Sequence, residues 1–195
     1  MIISRDQFLA VMPNARSRVD AFLDPINLAM DEFQINTPAR QSAFLAQLAH
    51  ESGEFRYMRE LASGADYEGR KDLGNTHAGD GVRFKGRGPM QITGRKNYTL
   101  AGNALVLDLL EHPEALEQPY NGCRSAAWFW RVGAGLNLGK RAIAHGIPAG
   151  VDLNDLADAG DFVSITIAIN GGLNGMEDRQ RYYVRAQAVV QGSAS

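Results

Sequence analysis

A single cysteine, Cys123, stands in 195 residues. No internal disulfide and no cysteine-built metal cluster can therefore hold the chain, and packing must do so. Long apolar runs are missing as well. Nothing approaches the roughly 20 residues that cross a bilayer, and the start, Met1-Ile2-Ile3-Ser4-Arg5-Asp6-Gln7, carries charge where a secretory signal would be apolar. Positive charge is not in excess: 20 Lys+Arg against 22 Asp+Glu leave a net charge of -2, without the basic field that duplex nucleic acid selects. These absences exclude disulfide-stapled, zinc-finger and membrane-spanning classes. They lead to the expectation of a soluble monomer made in the cytoplasm, with no nucleic-acid partner, no membrane insertion and no cofactor.

What is present suits one globular domain. With 45% hydrophobic and 22% charged residues, the chain can bury a real core, and no linker or internal repeat divides residues 1–195. Apolar residues recur at helical steps between local start and stop signals. Ser4 with Gln7 makes a capping box before Phe8, Leu9 and Val11, and Pro13-Asn14 ends that helix. Asp24-Pro25 is read as a second start. Thr37-Pro38 opens a third helix whose stripe of Phe44, Leu45, Leu48 and Ala49 stops at Gly53. Helical texture returns from Lys96 to Leu110, Pro119 to Val132, Leu136 to Ala144, Leu153 to Ala157 and Met176 to Val190. Val163, Ile165, Ile167 and Ile169 alternate as a strand would, while Asp161 offers a cap for a buried helix instead. From Ser63 to Gly94, closely spaced glycines break any period, which predicts a long functional loop region with one small hairpin.

Three segments carry candidate chemistry. In Ala49-His50-Glu51-Ser52-Gly53-Glu54, a carboxylate at the inner end of an apolar helix loses hydration, which suits such a group to donate a proton. Glu60 follows nine residues later; at about 100° per residue the pair falls on opposite faces of an unbroken helix, so the two converge only if the chain turns at Ser52-Gly53. His50-Glu51 lacks the second histidine of a zinc-protease helix, because position 54 is Glu, and His50 is read as structural, with no metal site. The second segment, Phe84 to Gly94, has the glycine density of a phosphate loop without its Lys-Ser/Thr ending. Arg83 to Lys96 holds five basic residues and no acidic one, either a basic wall for an anionic polymer or an ordinary solvated turn. The third is Ile169-Asn170-Gly171-Gly172, where Asn170 can offer a donor and an acceptor to an acetamido group. Trp128, Phe129 and Trp130 read as core.

Together these segments resemble glycoside hydrolase family 19, which contains plant-type chitinases and the lysozyme-like endolysins of phages and prophages. The resemblance rests on His50-Glu51-Ser52-Gly53, Arg59-Glu60-Leu61, the block from Gly86 to Tyr98, and Ile169-Asn170-Gly171-Gly172, in that order. Tyr67 to Asn75 and Ala126 to Trp130 are similar to the endolysin branch. The resemblance implies an all-α, lysozyme-like fold of two lobes about a cleft, the small lobe within about 55–95, and no separate wall-binding domain. It implies Glu51 as general acid, Glu60 as the base that activates water, and Thr93 as a holder of that water. Gln91 and Asn170 match sugar-contacting positions, and Arg87 and Tyr98 are expected to bind substrate too; Glu54 and Glu68 stand as alternatives to Glu60. The implied activity is inverting hydrolysis of the β-1,4 bond between N-acetylmuramic acid and N-acetylglucosamine in peptidoglycan, with chitin hydrolysis or mere glycan binding as alternatives. An inverting pair stands about 6.5–9.5 Å apart to admit a water. The expected route to the wall is from the cytoplasm by holin-type release, as for an endolysin, or equally by injection through a secretion machine.

Overall fold

The first helix begins where the sequence supplies a cap. Ser4 accepts from the Gln7 backbone N–H, the Gln7 side chain accepts from the Ser4 N–H at 2.8 Å, and α1 runs Arg5–Val11. The structure, a computed structural model, describes residues 2–190. A 3-10 turn at Pro13–Ala15 leads into α2, Val19–Glu32. Here the reading of Asp24-Pro25 as a helix start is corrected: Pro25 lies inside α2. The missing N–H is tolerated because Phe22, Ile26, Ala29 and Met30 bury a continuous stripe across it.

Thr37 caps α3, Pro38–Ser52, by accepting from the Arg40 N–H at 3.2 Å, and Gly53 ends it in the left-handed region. The stripe expected on α3 understates its burial. Every residue from Gln41 to Ala49 is buried, polar ones included, so α3 is the central helix of the molecule. It packs along α11, Met176–Val190.

Between α3 and residue 95 the loop region contains short 3-10 turns at Ala65–Tyr67 and Lys71–Leu73 and the one-turn α4, Asp80–Arg83. The expected hairpin reduces to two isolated antiparallel bridges, Arg59 with Arg87 and Arg87 with Ile92. The chain continues through α5, Arg95–Leu105, and α6, Pro119–Trp128, which passes through a π turn into α7, Ala134–Leu136. Next come α8, Lys140–Ala144, α9, Leu153–Asp158, and α10, Phe162–Asn170. The alternation of Val163 to Ile169 is thus resolved as helix, since the Asp161 side chain accepts from the Ser164 N–H at 2.9 Å and caps it.

Two apolar cores result. The larger collects α1, α2, α3 and the helices from α6 to α11; Trp130 is buried in it, edge-on to Phe44 at 5.4 Å, with its indole N–H donated to Asn154 at 2.9 Å. The smaller joins Phe84, Ile92, Tyr98, Ala101, Leu105, Leu109, Leu116 and Trp128. It extends past residue 95, because the glycine-rich loops have little apolar surface and must borrow it from α5 and α6. No helix among the described residues is long and apolar enough to cross a membrane.

Candidate active site

Glu51 stands on the last turn of α3, and what it meets there is not the apolar pocket the sequence suggests. Its Oε1 accepts from Arg179 Nη2 at 2.5 Å, and that guanidinium, 3% exposed, is one of the most buried charges of the molecule. Arg179 also donates to Gln47 Oε1, and through Nε to the Asn174 carbonyl at 3.2 Å. Gln47 in turn donates to Thr166 at 2.8 Å, whose hydroxyl bonds the Phe162 carbonyl at 3.0 Å. One oxygen of Glu51 is therefore fixed by a saturated network across α3, α10 and α11, while the side chain stays 23% exposed. One residue earlier, His50 Nδ1 pairs with Asp178 at 2.8 Å. Adjacent residues of α3 thus engage adjacent residues of α11 with opposite polarity.

The chain then reverses through an unusual turn. Gly53, Glu54 and Phe55 all take positive φ, at 55°, 58° and 65°. Only glycine does so freely; each of the other two costs on the order of 1 kcal/mol or more. The surroundings hold them. Glu54, 2% exposed, accepts from the Asn14 N–H at 2.6 Å, from the Asn14 amide at 2.9 Å and from the Tyr182 hydroxyl at 2.8 Å. Phe55 stacks on Phe22 at 4.3 Å, and its backbone N–H donates to the Ser52 hydroxyl oxygen at 2.8 Å. This turn ends the α3 path before the chain reaches Glu60.

Glu60 is held by backbone and a tyrosine. Its N–H donates to the Gly86 carbonyl at 2.9 Å, its Oε2 accepts from the Gly86 N–H at 3.1 Å, and its Oε1 accepts from the Tyr67 hydroxyl at 2.9 Å. Burial, and then that hydrogen bond to Glu60, push the Tyr67 phenol above its ordinary pKa. Gly86 is the hub of the group. A methyl on its Cα would lie 2.6 Å from Gln91 Oε1 and 3.3 Å from both Glu60 Oε2 and Thr93 Oγ1. Three candidate residues thus gather about one bare backbone position, where an added methyl would crowd all three.

The other sequence-derived candidates fall into place differently. Thr93 donates its hydroxyl proton to the Gln91 carbonyl at 2.8 Å, and Gln91, at φ 52°, commits its amide to the Gly88 carbonyl at 2.9 Å. Toward a ligand both are therefore acceptors. Asn170 spends its amide hydrogens on the Gly172 and Asn174 carbonyls, at 3.4 and 3.0 Å, so it keeps an acceptor but not the expected donor.

Arg87 and Tyr98 are corrections. Arg87 is buried, donating to Glu117 at 2.9 Å and to the Tyr98 hydroxyl at 3.0 Å; Tyr98 is fully buried and donates to the Lys85 carbonyl at 2.7 Å. Burial drives the Tyr98 phenol far up in pKa. Neither side chain is free to bind substrate. Of the two readings left open for Arg83 to Lys96, the basic wall is spent on the loops at four of its five positions: Arg87 as above, Arg95 bound to Asp80 at 2.6 Å, Arg83 to the Leu110 carbonyl at 2.6 Å and Lys85 to the Ala62 carbonyl at 2.9 Å. These charges hold loops together.

The alternatives to Glu60 are occupied as well. Glu54 is enclosed as described, and Glu68 accepts from the backbone N–H groups of Gly79 and Gly81 at 2.7 and 2.8 Å. Sequence reasoning missed Arg179 and the part played by Tyr67. The complementary pairs His50-Glu51 and Asp178-Arg179 were the available signal, but 128 residues separate them.

Comparison with known proteins bears on the family and the fold. The sequence model of glycoside hydrolase family 19, described as chitinase class I, matches residues 35–188. A glycosyl hydrolase family 19 domain-containing protein of Haemophilus influenzae is 26% identical over 215 residues, 94% of each chain. The acidic 27 kDa endochitinase of Solanum lycopersicum is 33% identical over 118 residues, 54% of this chain and 46% of the relative. The chain thus spans about half the length of that plant protein. Among solved structures, chitinase C from Streptomyces griseus HUT6037 superimposes with a TM-score of 0.76 at 22% identity, covering 97% of this chain and 76% of that one. A bacterial family 19 chitinase gives 0.75 at 24% identity, covering 97% and 95%. These likenesses establish the mainly α-helical, lysozyme-like fold expected from the sequence.

Proposed function

The chain belongs to glycoside hydrolase family 19, and from that premise we propose that it is a cell-wall hydrolase. In this reading it cuts the β-1,4 bond between N-acetylmuramic acid and N-acetylglucosamine with inversion, in the manner of an endolysin. Glu51 is the acid: Arg179 occupies its Oε1, and the other oxygen is left to protonate the leaving sugar. Glu60 is the base. The observation that carries the reading is the convergence of Glu60 Oε2 and Thr93 Oγ1 about Gly86. Because the Thr93 proton is already donated to Gln91, a water between the two can only donate to both. Its lone pair then points away from both acceptors, toward an anomeric carbon, and Glu60 takes the proton as the bond forms.

Peptidoglycan is favoured as substrate because the endolysin-like segment from Tyr67 to Asn75 supplies the tyrosine that orients Glu60, while Asn75 donates to the Tyr67 carbonyl at 2.8 Å. Chitin is the second reading, since the plant relative and both solved neighbours carry chitinase in their names.

Mass spectrometry of products from purified peptidoglycan and from chitin oligomers separates the two. The expected outcome is muropeptides ending in reducing N-acetylmuramic acid, reduced about a thousandfold or more by Glu51→Gln or Glu60→Gln. Products from chitin alone would replace the muramidase reading with the second.

A further inference from the structure

Four of the five cations between Arg83 and Lys96, namely Arg83, Lys85, Arg87 and Arg95, are engaged inside their own loops, which turns attention to cations elsewhere for the recognition of a charged glycan. A hollow of about 650 Å³ opens between α8 and the loop that follows α10, walled by Arg141, His145, Gly172, Leu173 and Asn174. Its wall is registered to the proposed acid. Asn170 binds the Gly172 and Asn174 carbonyls, and the Asn174 carbonyl is also held by the guanidinium that grips Glu51. A ligand in the hollow therefore lies one rigid loop away from Glu51.

The chemistry of the hollow is one-signed. No acidic residue lines it, and the carboxylates of Glu51 and Asp178 are already engaged, by Arg179 and His50. Arg141 is exposed and makes no ion pair or hydrogen bond among the described residues, in contrast to Arg83, Arg87, Arg95 and Arg179. Its guanidinium lies close to Gly172, where a methyl would stand 3.4 Å from Nη1. An unpaired planar fork selects a carboxylate, which it binds through two parallel hydrogen bonds. Leu173, 52% exposed, adds an apolar strip suited to a methyl group beside that carboxylate.

We propose that this hollow is a subsite for a carboxylate substituent carried by the glycan, with Arg141 as the binding fork and His145 as a second donor. Free N-acetylmuramic acid presents its lactyl carboxylate next to a methyl, and the peptide stem, whose amide bond consumes that lactyl carboxyl, presents carboxylates of its own. The identification of these sources rests on the muramidase reading above; the presence of a carboxylate site does not.

The test is binding to the Glu51→Gln chain, followed by the backbone amide resonances of Gly172 and Asn174 in NMR titrations. The probes are N-acetylmuramic acid, muramyl dipeptide and neutral N-acetylglucosamine. Shifts with the first alone identify the lactyl carboxylate, and shifts with the second alone identify the stem. Arg141→Ala is expected to lower affinity for the active probe relative to N-acetylglucosamine about tenfold, and Arg141→Lys by less. If neither charged probe moves those amides, or if Arg141→Ala weakens all three probes by one factor, the subsite is overturned. A wild-type chain that cuts only chitin would defeat the muramidase reading while leaving these titrations to decide the subsite.

Discussion

Glu51 and Glu60 are held by different physics. Glu51 projects from a helix buried on every side, and its fixed oxygen is bound by a guanidinium inside the larger core. Glu60 has no helix beneath it. It is held by an exchange with the Gly86 backbone, a tyrosine hydroxyl and loops whose own charges pair with one another. Where apolar surface is plentiful, packing supplies the rigidity and one buried ion pair aims the carboxylate. Where glycine replaces apolar residues, the lobe depends on polar bonds that a single substitution can unmake.

The sharpest way to break the contrast is at Arg179. Arg179→Met leaves Glu51 and Gln47 without their donor inside the larger core, so a stability loss of about 3 kcal/mol is expected. Urea denaturation measures it. Arg179→Lys restores charge but not the fork that reaches Gln47, Asn174 and Glu51 together. It is expected to recover most of the stability while kcat stays low and KM changes little. Full recovery of kcat by lysine would mean that charge, not aim, is what Glu51 needs.

The corresponding probe of the other region is Gly86→Ala. The added methyl presses on Gln91 and crowds Glu60 and Thr93, at the 2.6 and 3.3 Å contacts already described. Gln91 Oε1 ends a flexible side chain and yields, so a stability change below about 1 kcal/mol is expected. Displacement of the water-holding pair should lower kcat about a hundredfold. A variant with unchanged kcat and normal thermal melting would remove Gly86 as the organiser of the site.

What the sequence made legible was local. The Ser4–Gln7 box, the Thr37 cap and the Gly53 stop are decided within a turn of the chain, and family motifs drew attention to Glu60, Gln91 and Thr93, which do gather at one place. What it hid depends on distant partners. Gln41, Ser42 and Gln47 look like a solvated face until α11 closes over α3. Arg87 and Tyr98 look like ligands in a glycine-rich stretch, but Glu117, thirty positions on, turns Arg87 inward, and Tyr98 is buried against that guanidinium and the Lys85 carbonyl. The same holds for the basic run: its sign is visible in the sequence, while whether each charge is spent inside the fold is a tertiary fact.

Asp80 offers a smaller effect with a pH signature. It is buried, and the Arg95 guanidinium, aided by the N–H groups of His77 and Thr76 and opposed by desolvation, holds its carboxyl well below the ordinary carboxylate range. A depressed pKa contributes stability at pH values above the unfolded value, near about 3.9, and that contribution is lost as pH falls toward the folded one. Asp80→Asn is therefore expected to cost about 2 kcal/mol at pH 7. Compared with wild type in urea, the gap should be flat from about pH 6 to 8 and should narrow with each step below about pH 4. Because Asp80 anchors the loop that presents Arg95 and Asn75, the same substitution should loosen Tyr67 and Glu60 before it disturbs Glu51. Hydrogen exchange would then show faster opening at Gly86 with α3 protected as before. Equal loss of protection in both would mean that the two regions unfold as one unit, and that packing around α3 reaches further into the glycine-rich lobe than its few apolar residues suggest.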